Sequence, residues 1–322
     1  MSKVLLSQEI HSDAIKYLKE KGFEIEISPS SDDETVRKHV ASADAIIVRT
    51  ATKLSRETIF SANKLKVIAR TGAGVDNVDI IAASERNIPV CNTPEANTDS
   101  VAEHAVSFML SLAKYLNFLD SEVRNNNFAI RNNYLPVDLG GKTLGLIGLG
   151  KIGRKLAHIC SNCFDMNIIF FDPYISVPTD IDFKCSKTDN IEYIFQTSDF
   201  ISLHIPYSKE NHHIINGELM GKMKSSAFII NTSRGGIIDE TSLAELLSSQ
   251  KIAGAALDVF ENEPPKNDSP LLKLDNILLT PHSAALTKES SRRMALHAAQ
   301  GVSDVLEGKN PKWVFNRDKI KF

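Results

Sequence analysis

A short apolar run, Thr143-Leu144-Gly145-Leu146-Ile147, feeds directly into Gly148-Leu149-Gly150-Lys151-Ile152-Gly153, and an amphipathic stretch follows. No other segment limits the fold so sharply. A strand, a G-x-G-x-x-G turn and a helix form the opening of a dinucleotide-binding unit. Gly148 permits the tight turn, Gly150 lets the backbone approach a pyrophosphate, and Gly153 lets the helix pack on the strand. The helix start then offers its N–H groups and positive dipole end to the phosphates. A second strand, Ile168–Phe171, ends at Asp172, 172 − 153 = 19 residues after the last glycine. An acidic side chain at that distance grips ribose hydroxyls and repels a 2′-phosphate, which favours NAD over NADP.

The motif begins near residue 145 of 322, so another domain precedes it. One core rarely exceeds about 250–300 residues, which also points to two domains. The first hundred residues alternate short β-branched runs (Val4–Ser7, Glu24–Ile27, Ala45–Arg49, Lys66–Arg70, Ile88–Cys91) with helical patterns (His11–Lys21, Asp33–Val40, Ser55–Ser61, Val78–Arg86). Such alternation predicts a parallel sheet covered on both faces. One long helix is predicted from about Thr98 to Asn125, with Ser100-Val101-Ala102-Glu103 fitting a capping box near its start, or a cap two residues earlier. Strands recur at Thr143–Ile147, Asn167–Phe171, Phe200–Leu203, Ala227–Asn231, Gly254–Asp258 and Ile277–Thr280, and a helix closes the chain from about Thr287 to Leu306. The expected fold is α/β, with two Rossmann-like parallel-sheet domains and a cleft between them. A discontinuous substrate-binding domain (1–97 and 284–322) would flank a nucleotide domain (98–283).

Composition removes other classes. The net charge of −3 lacks the basic excess of a nucleic-acid binder. No apolar run reaches the ~18–20 residues of a membrane span, and the N-terminus lacks a signal-peptide pattern. Four cysteines in a chain this long make no disulfide scaffold, so the expectation is a reduced, cytoplasmic protein. Cys160 and Cys163 form an isolated C-x-x-C late in a helix and read as structural. His212-His213 has no third metal ligand in view and reads as surface, so no metal site is expected.

Three further segments follow strand ends, where open parallel sheets bind ligands. They are Asn231-Thr232-Ser233-Arg234-Gly235-Gly236, Asp258-Val259-Phe260-Glu261-Asn262-Glu263-Pro264 and Thr280-Pro281-His282. With the glycine turn and Asp172, they resemble the D-isomer-specific 2-hydroxyacid dehydrogenase family over essentially the whole chain. The resemblance implies that His282 takes the hydroxyl proton, since histidine alone titrates near neutrality when unperturbed. It implies that Glu263 orients the imidazole and that Arg234 holds the substrate carboxylate with a planar fork. It places Lys151, Ile152, His204, Thr232, Asp258 and His282 around the cofactor, beside Gly148, Gly150, Gly153 and Asp172.

Within the family, Ile46–Lys53 and Val67–Asp79 resemble the phosphoglycerate-oxidising branch. Arg49 and Arg70 each end a predicted strand, and two guanidinium groups suit a phosphate dianion. The resemblance puts both on the phosphate side and Ala73 and Gly74 on the carboxylate side. The expected activity is NAD-dependent oxidation of 3-phospho-D-glycerate. The alternatives are a hydroxypyruvate or glyoxylate reductase and an NAD-binding, corepressor-like interaction protein. A homodimer is expected, with Arg131 on an arm that crosses the dimer interface in this family; Asn132 and Asn133 replace lysines common there. The chain stops at Phe322, from which the short form without a serine-binding regulatory domain is expected.

Overall fold

The computed structural model describes residues 1–321, which divide into two compact units: Met1–Thr98 with the residues from Ala285 onward, and Asp99–Ala284. Both are parallel sheets flanked by helices.

In the first unit the strands are β1 (Lys3–Leu6), β2 (Glu24–Ile27), β3 (Ala45–Val48), β4 (Val67–Arg70) and β5 (Val90–Cys91), in the order β2-β1-β3-β4-β5. The central strands β3 and β4 are buried throughout, as expected of a sheet covered on both faces. The edge strand β2 alternates Glu and Ile, and its charges keep that edge from pairing with another chain. The chain order reverses between β1 and β3, and ligands of such sheets gather at the carboxyl ends beside that point. Helices α1 (Ser12–Glu20), α2 (Asp33–Val40), α3 (Arg56–Ser61) and α4 (Ile80–Glu85) connect the strands. The C-terminal helix, Lys288–Leu306, returns to this sheet. Its Ala295, Ala298, Ala299 and Val302 join the core formed by Val4, Leu6, Ala69 and Cys91. At Gly301 an added Cβ would lie 3.0 Å from Cβ of Cys91, so small residues let this helix sit close to the sheet.

The second unit holds β6 (Thr143–Ile147), β7 (Asn167–Phe171), β8 (Cys185–Lys187), β9 (Phe200–Leu203), β10 (Phe228–Asn231), β11 (Gly254–Leu257) and β12 (Ile277–Leu279). Their order is β12-β11-β10-β9-β6-β7-β8. Its topological reversal lies between β6 and β9. Phe170, Phe195 and Phe200 are among the largest fully buried side chains. Truncating one of them to Ala removes roughly 3–5 kcal/mol of stability.

One expectation about the elements fails, and one strand has no sequence signal. The long helix breaks into α5 (Thr98–Ala113) and α6 (Leu116–Arg124), with Tyr115 left-handed at φ 51°. The Ala113 carbonyl accepts from Val137 N–H at 2.9 Å, so it is withdrawn from the helix ladder. Strand β8 went unread because its three residues show no apolar alternation. A cleft of about 630 Å³ lined by Phe118, Tyr134, Phe228 and Ile277 lies toward the amino ends of β10 and β12, away from the ligand-binding ends. Among the described residues no helix is long and apolar enough to cross a membrane.

Candidate active site

The glycine turn follows β6. Gly148 has φ 94°, and a Cβ there would lie 2.7 Å from the His204 carbonyl oxygen, where the turn passes the end of β9. A Cβ at Gly153 would lie 2.5 Å from the Gly148 carbonyl, which fixes how closely α7 (Lys151–Phe164) packs. Gly150, by contrast, faces open space. It is the N-cap of α7 and makes no side-chain cap bond, so the helix start suits a phosphate. Lys151 is exposed and Ile152 half-buried in the first turn.

Asp172 is buried after β7. One carboxylate oxygen accepts from Leu149 N–H at 2.9 Å, and the other from Tyr174 at 2.9 Å and Ile175 at 3.2 Å. It therefore ties the glycine turn to the next loop. A carboxylate offers about four acceptor positions, which leaves room for a ribose hydroxyl. His204 follows β9 with its ring 2.9 Å from the Ser202 hydroxyl, and burial pushes its pKa down to about 4. Thr232 is buried with a hydroxyl that has no partner among the described residues. An orphan hydroxyl at a sheet's carboxyl end and an open glycine both fit a bound dinucleotide.

The catalytic candidates lie on three loops of the same unit. Asn231 ends β10 and folds the first loop. Its amide donates to the Arg234 carbonyl at 2.8 Å, and its carbonyl accepts from Ser233 N–H and Oγ at 3.0 and 2.7 Å. This turn presents the half-buried Arg234. At Gly235 a Cβ would lie 1.9 Å from the Phe260 carbonyl carbon, so the Arg234 and Glu263 loops are in backbone contact. Glu263 meets His282 at 2.7 Å, carboxylate to Nδ1, and its other oxygen accepts from Phe260 N–H at 3.2 Å. Burial would raise the Glu263 carboxyl, but the His282 bond and the charges of His282 and Arg234 outweigh it and hold it below its ordinary value.

His282 itself is left-handed, with φ 51°, a conformation that histidine tolerates better than most residues. Its N–H donates to the carbonyls of Asp258 (2.7 Å) and Thr280 (3.0 Å). The fully buried Asp258 carboxylate accepts from Thr280 Oγ1 at 2.5 Å, Ser283 N–H at 2.8 Å and Ala284 N–H at 2.9 Å. Asp258 thus clamps the loop that carries His282. Sequence reading missed His104 on α5, whose Nε2 lies 3.1 Å from the Thr280 hydroxyl and 3.9 Å from Asp258. Burial lowers its pKa against the pull of Asp258. The available signal was the one imidazole in Val101–Ala113, a mainly apolar stretch whose other polar side chains are Glu103, Ser107 and Ser111.

In the other unit, Arg49 follows β3 and donates to the Glu9 carbonyl at 3.1 Å, beside the reversal point of that sheet. Asn77 holds the same loop through the carbonyls of Arg49 (2.9 Å) and Thr52 (2.6 Å). Arg70 ends β4 and is buried, donating to Thr50 Oγ1 at 3.1 Å and the Thr71 carbonyl at 3.3 Å. Ala73 and Gly74 are half-buried in the turn that follows.

The remaining candidates lie elsewhere. Arg131 is exposed, 4.9 Å over the Phe128 ring. Cys160 is buried with its thiol pushed up to about 12, and Cys163 is exposed. The pair His212-His213 is not simply surface. His213 is half-buried and pairs with Glu261 at 2.8 Å, and ligand atoms of His213, Asp239 and Glu261 lie within 4.8 Å of one another. Asp239 also caps the helix Glu240–Ser248 through Thr241 and Ser242.

A family model described as D-isomer specific 2-hydroxyacid dehydrogenase, NAD binding domain, matches residues 106–284. The chain is 41% identical over 320 residues to a D-3-phosphoglycerate dehydrogenase of Methanocaldococcus jannaschii, covering 99% of this chain and 60% of that one. It thus spans about three fifths of that relative's length, and 58% and 55% of two further D-3-phosphoglycerate dehydrogenases. A hydroxypyruvate reductase of Thermotoga maritima is 38% identical over 303 residues, covering 93% of this chain and 97% of that one. The solved D-lactate dehydrogenase of Aquifex aeolicus, complexed with NAD and lactic acid, matches with TM-score 0.85 and 29% identity, covering 95% of this chain and 96% of that one.

Proposed function

The chain belongs to the D-isomer specific 2-hydroxyacid dehydrogenase family, and from that premise we propose that it oxidises 3-phospho-D-glycerate to 3-phosphohydroxypyruvate with NAD, an entry step to serine synthesis. The observation that carries the reaction class is the Glu263–His282 pair at 2.7 Å, on a loop held by Asp258.

Oxidising a 2-hydroxy acid removes a hydride from C2 and a proton from its oxygen. NAD supplies the hydride acceptor when bound. Glu263, ionised, accepts the Nδ1–H of His282 and so leaves Nε2 as the basic nitrogen. His282 Nε2 takes the hydroxyl proton, and Glu263 stabilises the imidazolium that results. Arg234 holds the substrate carboxylate and polarises the C2 oxygen. Arg49 and Arg70 hold the phosphate, with Ala73 and Gly74 N–H groups toward the carboxylate. Gly148, Gly150, Lys151, Ile152 and Gly153 hold the pyrophosphate, Asp172 the ribose hydroxyls, and His204 and Thr232 line the remaining cofactor surface, while Asp258, expected there from the sequence, acts from beneath it by holding the His282 loop. The unit Asp99–Ala284 is thereby the nucleotide domain and the other the substrate domain.

We place the enzyme in the cytoplasm as a homodimer. Helix α6 buries none of its residues, and Leu116 and Val123 on it and Phe128 and Leu135 after it are 52%, 52%, 63% and 82% exposed, apolar side chains that a second copy would cover. One further reading has support of its own. The 38% identity over 303 residues to a hydroxypyruvate reductase supports reduction of an unphosphorylated 2-oxo acid. Steady-state NADH formation from 3-phosphoglycerate, beside D-glycerate and the reverse reaction with hydroxypyruvate and glyoxylate, decides between them. The proposal expects at least a tenfold higher kcat/KM for the phosphorylated acid. Equal or better use of the unphosphorylated acids moves the assignment to the reductase. NADH binding without turnover of any of them overturns both.

A further inference from the structure

We propose that Thr50 and Gly72 form the seat of the Arg70 guanidinium and so set the selection for a phosphorylated acid; this rests on the substrate reading above. The seat is visible as a steric exclusion. A Cβ built on Gly72 would fall 1.4 Å from Arg70 Nη1 and 2.6 Å from its Cζ, so the guanidinium occupies the space a side chain would take. On the far side Nη2 donates to Thr50 Oγ1 at 3.1 Å.

The backbone under this seat has little room to retreat. Thr71 N–H donates to the Val48 carbonyl at 3.0 Å, and Gly72 N–H to the Arg70 carbonyl at 3.0 Å. The Gly72 carbonyl accepts from Thr93 N–H at 2.9 Å, and the Ala73 carbonyl from the Asn92 amide at 2.7 Å. Gly72 has φ 151°, which L side chains rarely adopt. With the chain pinned on both sides, a methyl group at 72 is relieved by the flexible end of Arg70. Restoring an ordinary contact of about 3.5 Å moves the guanidinium by roughly 2 Å, enough to break its bond to Thr50. A charge fork displaced that far no longer meets a phosphate in two-bond geometry. A glycine two residues after a strand-end arginine thus admits the arginine, and any larger residue excludes it.

The test is a double-mutant cycle on the full chain, with variants Gly72→Ala, Arg70→Ala, the pair, and Thr50→Val. Each is assayed for kcat and KM with 3-phosphoglycerate and with D-glycerate, and NADH binding by fluorescence checks that the nucleotide domain is intact. Losing one charge-assisted contact costs about 10- to 100-fold. G72A and R70A are each expected to lower kcat/KM for the phosphorylated acid by that factor, through KM, and to lower its ratio to the D-glycerate value with it. In the R70A background G72A should add nothing further to KM for the phosphorylated acid, since the backbone strain at φ 151° acts on stability with or without the arginine. T50V, which leaves the backbone untouched, should raise KM for the phosphorylated acid severalfold, and it decides the question if G72A does not fold. A wild type without preference for the phosphorylated acid overturns the substrate reading and this inference with it. A wild-type preference that survives G72A or T50V, or G72A and R70A losses that multiply, overturns the inference alone.

Discussion

Replacing Asp258 by Asn tests whether one buried carboxylate holds the His282 loop. The side chain is 1% exposed and accepts three hydrogen bonds, from Thr280 Oγ1, Ser283 N–H and Ala284 N–H. Asn keeps one acceptor oxygen and turns the other into an amide that only donates. If its oxygen serves Thr280 and Ser283, the amide faces the Ala284 N–H, donor against donor. A buried N–H left without an acceptor costs about 1–3 kcal/mol. The two surviving bonds fall from charge-assisted to neutral, a further loss of about 1 kcal/mol each. The total is roughly 3–5 kcal/mol, which lowers Tm by about 10 °C for a unit of this size. The loop has an escape, because His282 can leave its left-handed backbone and recover about 1–2 kcal/mol. That movement withdraws the imidazole from Glu263, and a misplacement of about 1 Å costs about 10²-fold in turnover. D258N is therefore expected to melt about 10 °C lower by calorimetry, with kcat down about 100-fold and NADH affinity changed much less. A variant that melts like the wild type but loses NADH binding refutes the clamp and leaves Asp258 as a cofactor contact only.

Two further outcomes follow from buried titratable groups. His204 has an ordinary value of 6.5 and is pushed down to about 4 by burial, so between those values the unfolded chain binds the extra proton. Its contribution to stability is complete above about pH 6.5 and is lost as pH falls toward 4, by about 2 kcal/mol at pH 5. Urea unfolding at pH 7 and pH 5 should show a smaller pH 5 loss in His204→Asn than in the wild type, and equal losses would refute this source. Cys91 and Cys160 thiols are pushed up to about 12 by burial, whereas Cys163 is exposed. Thiol titration of the native protein should therefore show fast modification at Cys163 and unreactive Cys91 and Cys160 until denaturant is added. Fast modification of Cys160, or a Cys160–Cys163 disulfide under mild oxidation, would refute the structural reading of that pair.

What was legible in the sequence was whatever one stretch of chain determines by itself. The glycine turn, the acid after the second strand and the strand–helix alternation each show in a window of a few residues. They led to two parallel sheets and to the loops at their carboxyl ends. What was not legible depends on two distant segments meeting. His104 gains its meaning from Thr280, which lies 176 residues away, and Asp258 reads as a ligand contact until the Thr280–Ala284 loop is seen wrapped around its carboxylate. The break at Tyr115 depends on Val137 taking a helix carbonyl, which no helix propensity records. Arg70 and Gly72 lie in between. Both sit in the stretch Val67–Asp79, where only the arginine carries a charge for a sequence reading to take up. Their coupling is steric: the glycine has value because the arginine folds back over it. A motif read one residue at a time thus assigns chemistry to the charged side chain and overlooks the absent one that gives it room.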